Sequence, residues 1–252
     1  RRQRQMCIRD RFVYSAPHVV SAVAPERGAE GGGTQVVVSG AGFAAGSEYR
    51  CRFGGATVEA SFHEADATIR CVSSARAQGV APVEVSLNGQ QYTNNAVGFT
   101  YFRAPTVSMV TPDAGPTAGD TLVRLLGEGL DAGRGYRCRF GELVVSATLD
   151  NASTPASLLC ESPRASPTSN LSADGTVSAR LEVSLNAQEY SASQVQFTYY
   201  DPPVPREVLP SAGIFYGGSS VAVAGGGFHR EWPDLQCRFG NSSANAAYDV
   251  VC

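Results

Sequence analysis

The sequence predicts an all-β protein made of tandem small β-sandwiches, two complete and one truncated. Three observations carry that reading. A six-residue segment built around a cysteine occurs three times, the residues around it alternate with a period of two, and no convincing amphipathic helix interrupts them.

The elements follow in chain order. Val36 and Val38 point one way and Val37 the other, and the register returns as Val123 and Leu125 around Arg124, then Val221 and Val223 around Ala222. A glycine turn ends each of these strands: Gly40-Ala41-Gly42-Phe43, Gly127-Glu128-Gly129-Leu130 and Gly225-Gly226-Gly227-Phe228. Next comes the repeated hexapeptide Tyr49-Arg50-Cys51-Arg52-Phe53-Gly54, again as Tyr136 to Gly141 and Leu235 to Gly240. Its alternation sets Tyr49, Cys51 and Phe53 on one face and Arg50 and Arg52 on the other, as expected of a half-buried antiparallel sheet. Downstream, Val83, Val85 and Leu87 oppose Glu84, Ser86 and Asn88, and the stretch returns as Leu181 to Asn186.

Asn88-Gly89 then predicts a type I′ hairpin, which needs positive φ at both positions. Asn186-Ala187 in the second unit predicts a strained turn or one of another type. Phe99-Thr100-Tyr101 and Phe197-Thr198-Tyr199 close the two complete units, and the proline junctions Ala104-Pro105 and Asp201-Pro202-Pro203 separate them. The resulting boundaries are a leader over 1–16, complete repeats over 17–103 and 104–203, and a partial repeat over 204–252. The basic stretch 1–11 resembles translated adapter sequence and is left out of the fold. Without an initiating methionine, and stopping within a repeat, the chain reads as a piece of a longer protein.

Composition narrows the function classes. All 20 basic residues are arginine, and five of them fall in the first eleven residues; the remainder carries 15 basic against 22 acidic side chains. An acidic surface of that kind repels phosphate backbones and argues against nucleic acid as a partner. No apolar run reaches the roughly 18–20 residues of a membrane-spanning helix, so membrane attachment is expected only through other parts of the parent chain.

Apart from Cys7, two cysteines fall in each unit. Of the pairings open to six cysteines, only Cys51–Cys71, Cys138–Cys160 and Cys237–Cys252 places the same bond in every unit. Such bonds need an oxidising compartment; buried reduced thiols are the competing reading. Zinc is disfavoured, because the spacings are not Cys-x2-Cys and His18, His63 and His229 do not recur in register. Asn151, Asn170 and Asn241 each begin an Asn-x-Ser acceptor triplet in a predicted loop, Asn170 within a nine-residue expansion of the second unit. Clips and triplets together predict an extracellular or cell-surface location.

The order of motifs, Pro17-His18-Val19, Gly32-Gly33-Thr34 through Phe43, Cys51 to Gly54, Cys71, and Phe99 to Tyr101, resembles the IPT/TIG family. The resemblance covers 17–203 and most of the first half of a third unit. It implies early-set immunoglobulin-like sandwiches, as in plexin-type, fibrocystin-type and other cell-surface proteins. Leu130 departs from it, standing where the other units have an aromatic residue.

No metalloprotease, serine-hydrolase or phosphate-loop sequence is present, and no acidic pair recurs between units, so no enzymatic activity and no cofactor are expected. Gly40-x-Gly42-x-x-x-Gly46 and Gly127-x-Gly129-x-x-x-Gly133 only mimic a dinucleotide fingerprint and read as strand-end turns or bulges. Asp113, Asp120 and Asp201 are the candidates for calcium, and the spacing of a calcium loop is missing. The expected role is a non-catalytic structural and interaction module of a larger glycoprotein, binding other proteins. The alternative is carbohydrate binding by Phe62, Tyr216 and Trp232; Rel-type DNA binding comes third, because Arg50, Arg52, Arg137 and Arg139 read as a solvated sheet face.

Overall fold

A computed structural model describes residues 17–44, 46–95, 97–152, 154–166, 176–228, 236–240 and 242–245. The first repeat contributes β1 (Val19–Ala24), β2 (Arg27–Ala29), β3 (Gln35–Ala41), β4 (Arg50–Phe53), β5 (Ala56–His63), β6 (Thr68–Val72), β7 (Gly79–Ser86) and β8 (Val97–Phe102). The second runs through β9 (Thr106–Thr111), β10 (Ala114–Pro116), β11 (Leu122–Glu128), a 3-10 turn at Leu130–Ala132, β12 (Arg137–Phe140), β13 (Leu143–Asp150), β14 (Ser157–Glu161), β15 (Thr176–Ser184) and β16 (Gln196–Tyr200). Both repeats order their strands alike: β1-β3-β6-β5-β4-β7-β8-β2 in the first and β9-β11-β14-β13-β12-β15-β16-β10 in the second. These are two immunoglobulin-like sandwiches in tandem, as the period-two pattern predicts.

One strand in each repeat serves two sheets. In β5, residues 56–59 pair with β4, whereas Ala60 to His63 pair with β6. In β13, Leu143 to Ser146 pair with β12, and Ala147 to Asp150 with β14. Each sandwich can therefore close around one core without a separate connection between its sheets at this edge.

The first core takes Val20, Val36, Val38 and Ile69 from one sheet and Phe53, Val83, Val85, Phe99 and Tyr101 from the other. The Phe99 ring sits edge-on to Phe53 at 5.5 Å and to Tyr101 at 5.0 Å. The second repeat reproduces this with Phe197 against Phe140 at 5.3 Å and Tyr199 at 5.0 Å. Leu130 is as buried as Phe43, so an aliphatic side chain fills the aromatic position of the second repeat.

Two sequence expectations are corrected. The Asn88-Gly89 turn is not type I′: Gly89 has φ 71° but Asn88 is not left-handed, and ten residues separate β7 from β8. Instead the Asn88 carboxamide oxygen accepts from the backbone N–H groups of Gln90 and Gln91, both at 3.1 Å, making a side-chain-capped turn. Ala187 adopts φ 63° at the matching place, the strained turn expected there. A short 3-10 turn does follow Gly129, where no helix was expected, but three residues do not make a phosphate-binding helix.

Beyond the second repeat, β17 (Val204–Leu209) pairs with β18 (Ala222–Gly226), and β19 (Gln236–Phe239) with β20 (Ser242–Asn245). Every residue of β17 is exposed. The described residues divide into two compact units: those up to Thr106 with Glu128–Tyr136 and Val183–Ser191, and those of Val107–Gly127, of 137–182 and from Ala192 onward.

Candidate interaction surface

The cysteines sit where the shared strand changes sheets. Cys51 lies opposite Val58 on β4, and Cys71 opposite Ala60 on β6, one on each side of the changeover. They are disulfide-bonded with Cα atoms 6.4 Å apart. Cys138 and Cys160 are bonded across the same point of the second repeat, at 6.5 Å. Sequence separations of 20 and 22 residues correspond to about 3 kcal/mol of unfolded-state constraint per bond. All four cysteines are buried, so the bonds fix sheet to sheet and offer no thiol to solvent. Cys237 lies on β19; Cys7 and Cys252 are outside the described residues.

The opposite faces of β4 and β12 carry four half-buried arginines, of which Arg50, Arg52 and Arg139 are held by carboxylates. Arg52 Nε donates to Glu84 Oε2 on β7 at 2.7 Å, and its guanidinium lies over the Tyr92 ring, 4.1 Å from the centroid. Arg139 bonds Glu182 in the same register, with Nε 2.9 Å from Oε2. Arg50 is shared between Glu48 at 2.9 Å and Glu59 at 3.4 Å, and Arg137 Nη1 donates to Ser146 Oγ at 2.7 Å. The hydrogen bond and charge of Glu84 raise the Arg52 pKa despite partial desolvation, and Glu48 does the same for Arg50. The result is a charge-compensated face, poorly suited to a phosphate backbone.

The recurring stretch after β7 and β15, Asn88 to Thr93 and Asn186 to Ser191, closes this face in a way the reading of the strands missed. The Thr93 hydroxyl accepts from Val85 N–H at 3.0 Å while Thr93 N–H donates to Val85 C=O at 2.9 Å; Ser191 and Val183 repeat both bonds, at 3.1 and 2.8 Å. The signal was available in the recurrence Asn-x-Gln-x-Tyr followed by a hydroxyl residue.

The remaining candidates separate. Phe62 is stacked on Tyr49 at 5.6 Å and packs against the core, so it is no free platform for a sugar; Tyr216 is 94% exposed, beside Phe215 at 97%. Trp232 lies outside the described residues. Asp201 accepts from the Thr117 hydroxyl at 2.7 Å, and Asp120 takes a left-handed turn position. No cluster of three or more potential metal ligands occurs among the described residues, and no described helix is long and apolar enough to cross a membrane. Asn151 is exposed in the loop between β13 and β14; Asn170 and Asn241 are outside the described residues.

A family model described as IPT/TIG domain matches residues 18–101 and again 105–199. The chain belongs to the IPT/TIG family. Among its relatives, Plexin-A2 of Mus musculus is 31% identical over 121 residues, covering 48% of this chain and 6% of that protein. Plexin-B2 of Mus musculus is 26% identical over 220 residues, 84% of this chain and 11% of that protein. The chain thus spans about a tenth or less of the length of these relatives. The full extracellular region of Plexin A4 superposes with a TM-score of 0.57 over 93% of this chain and 21% of that one, at 19% identity, which establishes shared fold. IPT/TIG repeats clipped by disulfides and related to plexin ectodomains belong outside the cell.

Proposed function

We propose that these IPT/TIG repeats are a non-catalytic structural and interaction module of a larger cell-surface or secreted glycoprotein, binding other proteins through sheet faces and loops. The supporting observation is that both complete repeats keep one architecture, each with a buried bond between its sheets and an ion-paired outer face. Such a unit is stiff and presents side chains at fixed positions. Repeats spanning 17–103 and 104–203, with 204–252 opening a third, fit this role, as does a third clip between Cys237 and Cys252.

The exposed Phe215–Tyr216 pair favours glycan binding as the second reading. Screening the secreted 252-residue chain against a library of cell-surface ectodomains and an oligosaccharide array separates the two. Saturable binding to a protein ectodomain is expected; binding confined to the array would overturn the protein-binding role.

A further inference from the structure

We propose that Asn151 carries an N-linked glycan that caps the β13–β14 end of the second repeat. The inference rests on how this loop is built. Asp150 ends β13 and Ser157 opens β14, leaving six residues, 151–156, where the first repeat has only 64–67. In the first repeat the shorter turn is tied down on itself: Asp66 accepts from the Thr68 hydroxyl at 2.7 Å and from Arg70 at 2.9 Å. In the second repeat the ties lie at the base of the loop. Arg124 Nη1, on the neighbouring β11, reaches Asp150 Oδ2 at 2.6 Å and Ser157 Oγ at 2.8 Å, and Ala152 N–H donates to Asp150 Oδ1 at 3.0 Å.

Above that pinned base, Asn151, Ala152, Thr154 and Pro155 are all exposed. Asn151 therefore projects from a well-held hairpin into open solvent, on an extracellular chain, at the first position of Asn-Ala-Ser. A bulky, hydrated sugar there displaces no core side chain.

The reaction is a group transfer from a lipid-diphosphate-linked oligosaccharide of the secretory pathway. The Asn151 Nδ2 attacks the anomeric carbon, a C–N bond forms and the carbon–oxygen bond to diphosphate breaks. The lipid diphosphate departs with the bonding pair, and the transferase takes one Nδ2 proton. Ser153 is the hydroxyl residue that the acceptor triplet requires.

Trypsin separates the three acceptor asparagines onto different peptides: Phe140–Arg164 holds Asn151, Ala165–Arg180 holds Asn170 and Phe239–Cys252 holds Asn241. The test is to express the 252-residue chain with a secretion signal in glycosylation-competent animal cells, then map reduced peptides with and without peptide-N-glycosidase. Secreted and endoplasmic-reticulum-retained pools are both read. The expected result is oligosaccharide on Phe140–Arg164, with the enzyme removing it and leaving aspartate in place of Asn151. The modification should be lost in Ser153→Ala and kept in Ser153→Thr. An unmodified Phe140–Arg164 peptide in both pools overturns the proposal, whatever the other two peptides carry.

Discussion

Gly28 gives the most direct test of how tightly the sandwich core is built. A Cβ at this buried position would press into Thr34 Oγ1 and lie 2.6 Å from Phe99 Cζ. Thr34 and Phe99 are both 0% exposed, and Phe99 is wedged between Phe53 and Tyr101, so neither side chain can swing away. Gly28→Ala is an overpacking substitution of the kind that costs about 1–3 kcal/mol, and the upper half of that range applies where both neighbours are immobile. For a repeat of this size, about 2–3 kcal/mol lowers the urea midpoint by roughly 1–2 M. Gly31→Ala is the control, because its Cβ would meet nothing within 4 Å, and it is expected to shift the midpoint little. The Thr34 hydroxyl is buried without a hydrogen-bond partner, so deleting it should relieve the clash. The double variant Gly28→Ala/Thr34→Ala is expected to be about 1 kcal/mol or more above the stability given by adding the two single effects. Urea titration by circular dichroism decides; equal midpoints for Gly28→Ala and Gly31→Ala would refute the packing argument.

Two further predictions concern polar groups. Burial pushes the Tyr199 phenol up to about 12, and burial raises Tyr101 too, with Ser74, Arg76 and Ser73 pulling it partway back. A raised phenol pKa means stability is full below the unfolded value near 10 and is lost as pH climbs towards 12, by about 2–3 kcal/mol for Tyr199. Since the Tyr199 hydroxyl has no hydrogen-bond partner, Tyr199→Phe should keep or raise stability at neutral pH and flatten the alkaline loss; an unchanged alkaline profile would count against this. For the outer face, a double-mutant cycle on Arg52 and Glu84, both partly exposed, is expected to give a coupling of about 0.5–1 kcal/mol, and zero coupling would show that the pair contributes nothing.

Much of the fold was legible because burial follows the alternation residue by residue: β4 and β12 share one pattern of half-buried arginines and buried Cys and Phe. The changeover in β5 left no mark in the sequence, since its alternation continues from Glu59 into Ala60 while the partner strand changes. The short parallel edge strands β2 and β10 were equally silent, at three residues each with glycine in the middle. Asn88 misled because its carboxamide can serve either a type I′ turn or a side-chain-capped one. The second was chosen in the fold, where Asn88 also bridges to Glu48. The ion pairs of Arg52 and Arg139 were hidden because their partners lie far along the chain: Glu84 is 32 residues from Arg52 and Glu182 is 43 from Arg139, and only strand register brings them together.

A sheet-to-sheet bond in each complete repeat is tested most directly by a non-reducing tryptic map of secreted, alkylated protein. The predicted products are Cys51-Arg52 joined to Cys71–Arg76, and Cys138-Arg139 joined to Phe140–Arg164, each separating on reduction. Alkylated Cys51, Cys71, Cys138 and Cys160 recovered before any reductant is added would contradict the bonded cores and the extracellular setting together.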